Sequence, residues 1–152
     1  VYVGATPQTA GTFGIHAFYK YWFFDADINA YDRTYIDPSP NHRTQSAVNG
    51  MMLPGENWDT AYRRISAQEK FNGGFTLDLS IGKTMRIQRK YTLNFNIQLN
   101  NILNNTNLKT GGFEQGRMDY GLSTSTQNMM KFPNKYYYAQ GFNVFAMLAF
   151  RF

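Results

Sequence analysis

Few residues of this chain have the types and spacing that catalysis or metal binding requires. The chain has two histidines, His16 and His42, and no cysteine. Neither histidine has the partner four residues away that forms a helical zinc site, and no serine lies in a nucleophile-elbow motif. Without cysteine there is no thiol nucleophile. We therefore expect no catalytic site, no metal and no cofactor, and we expect that the protein is not an enzyme.

Two carboxylates are the remaining candidates for local chemistry. Asp25 and Asp27 are two residues apart, so in a strand they point to the same side. Such a pair could bind a cation or a sugar hydroxyl. Hydrated carboxylates paired with a neighbouring Arg explain the same pattern, and we favour this second interpretation.

The composition favours a protein with one apolar face and one hydrated face. Aromatic residues make up 17% of the 152 residues and charged residues only 16%, whereas a typical soluble domain is about 25% charged. The net charge of +5 would suit a nucleic-acid binder. However, the Lys and Arg residues are scattered, with no basic stripe on one predicted face and no nucleic-acid-binding motif. We therefore expect no nucleic-acid partner.

Alternation with period 2, which places successive side chains on opposite faces of a strand, occurs five times. It predicts strands near residues 12–19, 22–35, 75–87, 91–103 and 136–152. The most apolar stretch, residues 142–150, is too short for a spanning helix of about 20 residues but fits a tilted spanning strand of about 9–11. The fold class that we expect is all-β, an antiparallel transmembrane β-barrel to which this chain supplies about the last five strands.

The connections between these strands alternate between short and long. Residues 20–21 and 88–90 form short turns, whereas residues 36–73 and 105–135 are long connections. Structureless loops of this length are unusual in a compact soluble domain, but outer-membrane barrels have short periplasmic turns and long extracellular loops. The pattern therefore predicts a periplasmic C-terminus. Within the first loop, residues 58–69 predict a short helix with Asn57 as its cap.

The polar faces of the strands carry amides and carboxylates rather than Lys and Glu, as expected for a wall that lines a water-filled lumen. The predicted lumen-facing residues are Asp25, Asp27, Asn29, Asn94, Asn96, Gln98 and Asn100. In the loop, Trp58 and Tyr62 could contact a substrate by stacking on a sugar ring, although packing within the loop is the commoner role. Two aromatic groups fit the girdles at the membrane interfaces: Trp22, Phe23 and Phe24, and Tyr136, Tyr137 and Tyr138.

Five strands are too few to close a barrel, which takes about eight. An open sheet in lipid would leave edge N–H and C=O groups unpaired, at several kcal/mol each. The chain also begins at Val1 without a leader sequence. Further strands could come from copies of the same chain, but a longer polypeptide is the simpler source, and we expect that source.

Five stretches carry a family resemblance: residues 19–40 with 42–44, the segment LDLSIGKTMRI at 77–87, LNFNIQLNNILNN at 93–105, residues 111–119, and residues 131–152. In this order and spacing they resemble the C-terminal region of Bacteroidetes TonB-dependent receptors, of the SusC-like or carboxypeptidase-regulatory-domain type. The resemblance implies a plugged barrel of about 22 strands in the outer membrane of a Gram-negative bacterium.

The resemblance also implies a function and partners. The function would be import of a nutrient such as an oligosaccharide or a peptide. The partners would be TonB, acting through parts outside this chain, a SusD-like surface lipoprotein, the barrel-assembly machinery and outer-membrane lipid. The closing strand would present the assembly signal through Phe142, Phe150 and Phe152.

Two alternatives remain open from the residues alone. One is a soluble β-barrel or sandwich that binds a small apolar ligand, which predicts an apolar interior, a charged exterior and solubility without detergent. The other is a small outer-membrane enzyme or adhesin. An enzyme would need a Ser–His pair at one site, and an adhesin would need a passenger or self-assembly.

Overall fold

The computed structural model of the chain describes residues 1–119 and 129–152, which divide into two compact units. The sheet unit comprises Gln8–Asp32, Asn72–Leu108 and Tyr138–Phe152. The loop unit comprises Val1–Pro7, Arg33–Phe71 and Lys109–Tyr137. Strands predominate, and the paired strands of the main sheet are antiparallel, which confirms the all-β class.

The sheet unit is built on five strands in the order β1–β2–β3–β4–β9. Their bounds are β1 Thr9–Tyr19, β2 Trp22–Asp32, β3 Gly74–Ile87, β4 Tyr91–Asn100 and β9 Asn143–Arg151. The sheet is open: among the described residues, none pairs with the outer edge of β1 or of β9. The described part of the chain therefore forms no closed barrel.

Both short turns lie where the sequence predicts them. Tyr19 pairs with Trp22, which leaves a two-residue turn in which Lys20 and Tyr21 have φ of 45° and 68°. Positive φ at both central residues is the type I′ geometry, whose twist matches the flanking strands. The β3–β4 hairpin turns through residues 88–90.

Two predicted strands end earlier than their alternation suggested. The second was expected to reach residue 35, but β2 ends at Asp32 because Arg33 adopts a φ of 55°. The fourth was expected to reach residue 103, but β4 ends at Asn100 because Asn101 has a φ of 48°. A left-handed residue turns the chain out of the ladder, and the side-chain pattern does not show this.

The last predicted strand, residues 136–152, is two strands. The segment Lys135–Tyr138, β8, pairs with β5, Lys109–Phe113, and only β9 joins the main sheet. Phe142, which was expected to lie within the closing strand, therefore precedes β9.

The two long connections, predicted as loops, contribute the loop unit's helices and short strands. The first holds a 3₁₀ helix, Pro40–Arg43, followed by α1, Gln45–Met51, and α2, Trp58–Ser66. Asn57 caps α2 by accepting a hydrogen bond from Thr60 N at 2.8 Å, which confirms the predicted start, although the helix ends three residues before residue 69. The second connection holds β5, the pair β6 Met118–Asp119 and β7 Met130–Lys131, and the start of β8.

The loop unit has a small apolar core where α1 packs on α2. It consists of Ala47, Val48, Met51, Ala61 and Ile65.

In residues 1–119 and 129–152, no helix is both long and apolar enough to cross a membrane.

Asn101 holds together the segments that leave the sheet beyond β4. It is 4% exposed. Its amide group donates to Gln140 O at 2.8 Å and to Asn105 O at 3.3 Å, and its Oδ1 accepts from Asn105 N at 3.0 Å. Asp78 Oδ1 accepts from the Asn101 backbone N–H at 2.7 Å. One side chain thus closes the turn after β4 and ties it to the approach to β9.

We expect Asn101→Ala to lower the free energy of unfolding by about 3 kcal/mol, because each lost hydrogen bond contributes about 1 kcal/mol and alanine tolerates a left-handed backbone poorly. Asn104→Ala is the matched control. Asn104 also has positive φ, 50°, but among the described residues its side chain accepts one hydrogen bond, from Phe142 N at 3.0 Å. Denaturant unfolding should show the larger loss for Asn101→Ala, and equal losses would contradict this account.

Candidate functional site: a sheet with two unlike faces

The register of the main sheet sorts its side chains into two unlike faces. Directly paired residues in antiparallel strands project to the same face. Ser80 pairs with Asp25 on β2 and with Gln98 on β4, so polar positions coincide from strand to strand. The neighbouring positions of each strand form the opposite face.

The apolar face extends across all five strands, and Lys83 is a charged member of it near the hairpin turns. Its members are Phe13, Ile15 and Ala17 on β1, Phe24, Ala26 and Ile28 on β2, Leu77, Leu79 and Ile81 on β3, Leu93, Phe95, Ile97 and Leu99 on β4, and Val144, Ala146, Leu148 and Phe150 on β9. This face is uncovered, since Phe13 is 66% exposed and Leu148 is 69% exposed. Contiguous exposed apolar surfaces of this width are typical of surfaces that contact a membrane, a protein partner or a ligand.

The polar face carries all seven residues predicted to line a lumen, namely Asp25, Asp27, Asn29, Asn94, Asn96, Gln98 and Asn100. Side chains hydrogen-bond across the strands there. Thr12 donates to Asn29 at 2.8 Å, and Asn29 donates in turn to Asp78 at 2.8 Å.

The same pattern continues across β3, β4 and β9. Thr84 donates to Asn94 at 2.9 Å, Ser80 donates to Asn96 at 3.2 Å, and Asn100 donates to Asn143 at 2.9 Å. The register therefore brings residues that are far apart in sequence into one polar array of amides, hydroxyls and carboxylates.

The partner of Asp25 differs from the expected Arg. His16 Nδ1 lies 2.7 Å from Asp25 Oδ1. Asp27 lies over Gly14 and opposite Asp78. Over the ranges 1–119 and 129–152, no cluster of three His, Asp or Glu side chains could hold a metal ion.

The aromatic residues near the hairpin turns divide between the two faces. Trp22 and Phe24 stack on the apolar face with ring centroids 6.1 Å apart. Phe23, which was grouped with them, lies on the polar face opposite Gly82, where its ring occupies the space that a Cβ would fill. An aromatic girdle lies on the outward, lipid-facing side of a barrel. Phe23 lies on the polar face instead, so it does not fit the predicted girdle.

Tyr136 was also assigned to a girdle, but it forms part of a polar cluster in the loop unit. Its hydroxyl donates to Glu69 Oε2 at 2.9 Å, and Lys109 Nζ lies 3.7 Å from its ring centroid. Lys109 also donates to Glu69 at 3.1 Å.

Trp58 and Tyr62 lie one turn apart on α2 and stack on each other. Their ring centroids are 5.1 Å apart with an interplanar angle of 11°. They are 40% and 37% exposed. The pair is thus a partly exposed aromatic surface in the loop unit.

The residues predicted to carry the assembly signal are exposed. Phe150 lies on the apolar face of β9 and stacks with Tyr91 at 5.6 Å. Phe152 lies beyond β9, 6.3 Å from Phe150, and is 91% exposed. Phe142 donates its backbone N–H to Asn104 just before β9.

Glu114 forms a buried polar centre that the sequence pattern did not reveal. Its side chain is 3% exposed, and its Oε2 accepts from Arg43 at 2.7 Å and from Ser39 N at 2.9 Å. Lys131 donates to its Oε1 at 3.2 Å, and His42 Nδ1 lies 3.5 Å from Oε2. An isolated Glu between two glycine-containing segments carries no periodic signal, so only tertiary contacts identify it.

Hydrogen bonds and nearby charge affect the pKa of Glu114 more than burial does. Burial raises the pKa of this carboxyl, but donation from Arg43 and Ser39 together with the charge of Lys131 leaves its pKa below the ordinary value. Burial also raises the pKa of Glu69, and Tyr136, Asn134 and Lys109 reverse that shift.

We expect the loop unit to lose stability in acid. Hydrogen bonds from Arg64 and from Leu53 N lower the pKa of Glu56 from 4.5 to about 2, and the pKa values of Glu69 and Glu114 are lowered as well. A lowered folded-state pKa contributes stability above the unfolded value, near 4.5, and that stability disappears as pH falls through the folded value. Hydrogen exchange should therefore show constant protection of α2 from pH 7 to 5 and a loss below pH 4.5. Protection that is unchanged down to pH 2 would contradict the expectation.

No protein-family model matches the chain, and neither the curated proteins nor the solved structures contain a match.

Proposed function

We propose that this chain is part of the wall of a TonB-dependent outer-membrane transporter that imports a nutrient. The observation that carries the proposal is the two-faced sheet. An uncovered apolar face extends over five strands, and β2, β3 and β4 oppose it with a face rich in amides, hydroxyls and carboxylates, whereas β9 places Phe145 and Met147 on that second face. Transmembrane barrels need this arrangement, with lipid on the outside and water within.

The lengths and edges of the strands agree with this proposal. Four of the five main strands have 10–14 residues and β9 has 9, against the roughly 9–11 residues that a tilted strand needs to span a bilayer. The outer edges of β1 and β9 have no pairing strand among the described residues. In lipid these edges must be paired, so the proposal requires further strands from a longer polypeptide.

The proposed substrate is an oligosaccharide or a peptide, which would pass the polar face of the sheet. Amides and carboxylates of Asp25, Asn29 and Gln98 would keep that wall hydrated. The proposed partners are a SusD-like lipoprotein at the surface, TonB through parts outside this chain, and the barrel-assembly machinery, which would recognise Phe142, Phe150 and Phe152.

Cell fractionation tests the location and size of the native protein. An antibody against residues 36–73 should detect an outer-membrane band far above the 17.5 kDa of this chain, extractable only with detergent. A soluble band near 17.5 kDa would overturn the proposal and favour a ligand-binding β-domain. Such a domain would place its ligand over the apolar depression between Ile15, Phe24 and Leu79.

We further propose that Trp58 and Tyr62 contact the substrate. Their stacked, partly exposed rings offer a flat surface to a sugar ring, and truncation of a contact residue of this kind weakens binding by more than 1 kcal/mol. Trp58→Ala with Tyr62→Ala should raise the half-saturating substrate concentration about tenfold at an unchanged outer-membrane level. Leu53→Ala, at another exposed loop-unit residue, 57% exposed, is the control. An unchanged uptake curve in the double variant would contradict the assignment.

A further inference from the structure

The hairpin end of the main sheet concentrates positive charge. This end consists of the two short turns together with the strand residues next to them. It holds six of the chain's 15 Lys and Arg residues: Lys20, Lys83, Arg86, Arg89, Lys90 and Arg151. These residues are scattered along the sequence, because they come from three separate segments that only the sheet brings together.

The same end has no acidic side chain to neutralise these cations. The sequence has no Asp or Glu in residues 17–24, 79–100 or 144–152. The four acidic residues in the segments of the sheet unit, Asp25, Asp27, Asp32 and Asp78, all lie further along β2 and β3. The charge of the sheet is therefore polarised along the strand direction.

Aromatic rings accompany three of these cations. Lys83 Nζ lies 4.6 Å from the Trp22 ring centroid, Lys20 Nζ lies 5.1 Å from that of Tyr19, and Lys90 Nζ lies 5.4 Å from that of Tyr91. Tyr19, Trp22 and Tyr91 all belong to the apolar face. The end of the apolar face is thus a row of amphipathic rings with cations beside them, which suits a boundary between hydrocarbon and charged headgroups.

The turns keep these side chains in an unfavourable backbone conformation. Lys20, Tyr21, Gln88 and Arg89 all have positive φ, between 45° and 68°, at positions where Asn and Gly are strongly preferred. Residues held in sparsely populated backbone regions support a hypothesis of function. Here the retained side chains are two cations, a tyrosine and a glutamine, all exposed.

The geometry points to a binding surface for anionic phospholipid headgroups at the hairpin end of the sheet. This inference rests on the proposed membrane-spanning sheet and adds a lipid class and a position to it. The occupant is the phosphate-bearing surface of the leaflet that the short turns reach. Lys20, Lys83, Arg89 and Lys90 contact lipid phosphates while Tyr19, Trp22 and Tyr91 lie at the level of the headgroups, and Arg86 and Arg151 belong to the opposite, polar face. Charge complementarity selects this occupant, since zwitterionic lipids offer no net negative charge to the four cations at the turns and on the apolar face, Lys20, Lys83, Arg89 and Lys90.

Lipid titration of the complete polypeptide that carries this chain, purified in detergent, tests the inference. Native mass spectrometry with phosphatidylglycerol and with phosphatidylcholine should show a preference for phosphatidylglycerol. Each Lys or Arg near an anionic membrane surface contributes about fivefold. The variant Lys20→Gln, Arg89→Gln, Lys90→Gln should therefore weaken phosphatidylglycerol binding on the order of 100-fold and leave phosphatidylcholine binding unchanged.

Two matched variants make the result specific. Arg63→Gln, Lys70→Gln and Lys135→Gln remove three exposed cations of the loop unit and should leave the preference for phosphatidylglycerol intact. Lys20→Arg, Arg89→Lys and Lys90→Arg keep the charge at the turns and should also keep the preference. If the glutamine variant does not fold, the salt dependence of phosphatidylglycerol binding to the native protein replaces it, because exposed charges are screened at high ionic strength.

The outcomes separate the inference from the proposed function. A protein that inserts into lipid but binds both lipids equally overturns the inference alone, as does a preference that survives the glutamine variant or high salt. A protein that needs neither lipid nor detergent overturns the proposed function and the inference with it. Loss of the preference in the turn variant, but not in the loop-unit variant, supports both.

Discussion

We expect Ile81→Arg to prevent stable assembly of the protein in the outer membrane, whereas Ser80→Arg leaves it largely intact. The two residues are neighbours at the centre of β3 and are both half-buried, but Ile81 belongs to the apolar face and Ser80 to the polar face. An Arg that faces lipid at the bilayer midplane costs about 2–4 kcal/mol. On a hydrated lumen wall the same side chain remains in water.

The measurement is the free energy of unfolding in lipid vesicles, together with the amount of protein in isolated outer membranes. Ile81→Arg should lower both, and Ser80→Arg should lose only the hydrogen bond from Ser80 to Asn96, worth about 1 kcal/mol. The opposite order would place lipid on the amide face and contradict the proposed wall. A soluble protein with higher yield after Ile81→Arg would show that the apolar face meets water.

Glu114→Ala should be the most destabilising single change in the loop unit. Removing one partner of a buried ion pair costs about 3–5 kcal/mol, because the remaining charge is left buried and unpaired. Here Arg43, 14% exposed, would lose its carboxylate partner, and its Nε already has no hydrogen-bond acceptor among the described residues. Lys131 would also lose its hydrogen bond to the Glu114 carboxylate.

Hydrogen exchange of the α2 and β5 amides in the complete polypeptide measures this effect locally. Glu69→Ala is the matched control, because Glu69 also pairs with a lysine, Lys109, but both side chains are about one third exposed. Solvent screens such a pair, so its loss costs about 1 kcal/mol, and Tyr136 and Asn134, which also donate to Glu69, are half-buried groups that water can then satisfy. If both variants increase exchange equally, burial of Glu114 does not determine the stability of the loop unit.

The alternation of side chains was enough to predict the main strands and their faces. Leu93, Phe95 and Ile97 alternate with Asn94 and Asn96 along β4, and the structure places the two sets on opposite faces as expected. The β1–β2 and β3–β4 turns were predicted from the same pattern, because alternation stops where the chain reverses.

The strand ends were less predictable because they depend on single backbone conformations. Arg33 and Asn101 adopt positive φ, and neither residue type predicts this conformation as strongly as glycine would. The contacts of Phe23 were also not predictable from the sequence pattern. Alternation gives the face on which Phe23 lies, but its packing on Gly82 depends on which residue the partner strand places opposite.

The loop unit was the largest difference between expectation and structure. Only the start of α2 was predicted, because Asn57 provides a local capping signal. Glu114 and its partners come from residues 39 to 131, and their contacts have no local pattern. The long connections were therefore predicted as loops although they contain a folded unit.

By itself, the sequence determined where the five main strands lie, which of their faces is apolar, and that the polar face of β2 and β4 carries amides and carboxylates. These properties follow from period-2 geometry, which is local. Only the tertiary structure decided that the polar residues of separate strands share one face, that six cations gather at the hairpin end, and that Glu114 is buried. Strand register and long-range pairing depend on contacts between distant residues, and a single sequence does not contain that information in any local pattern.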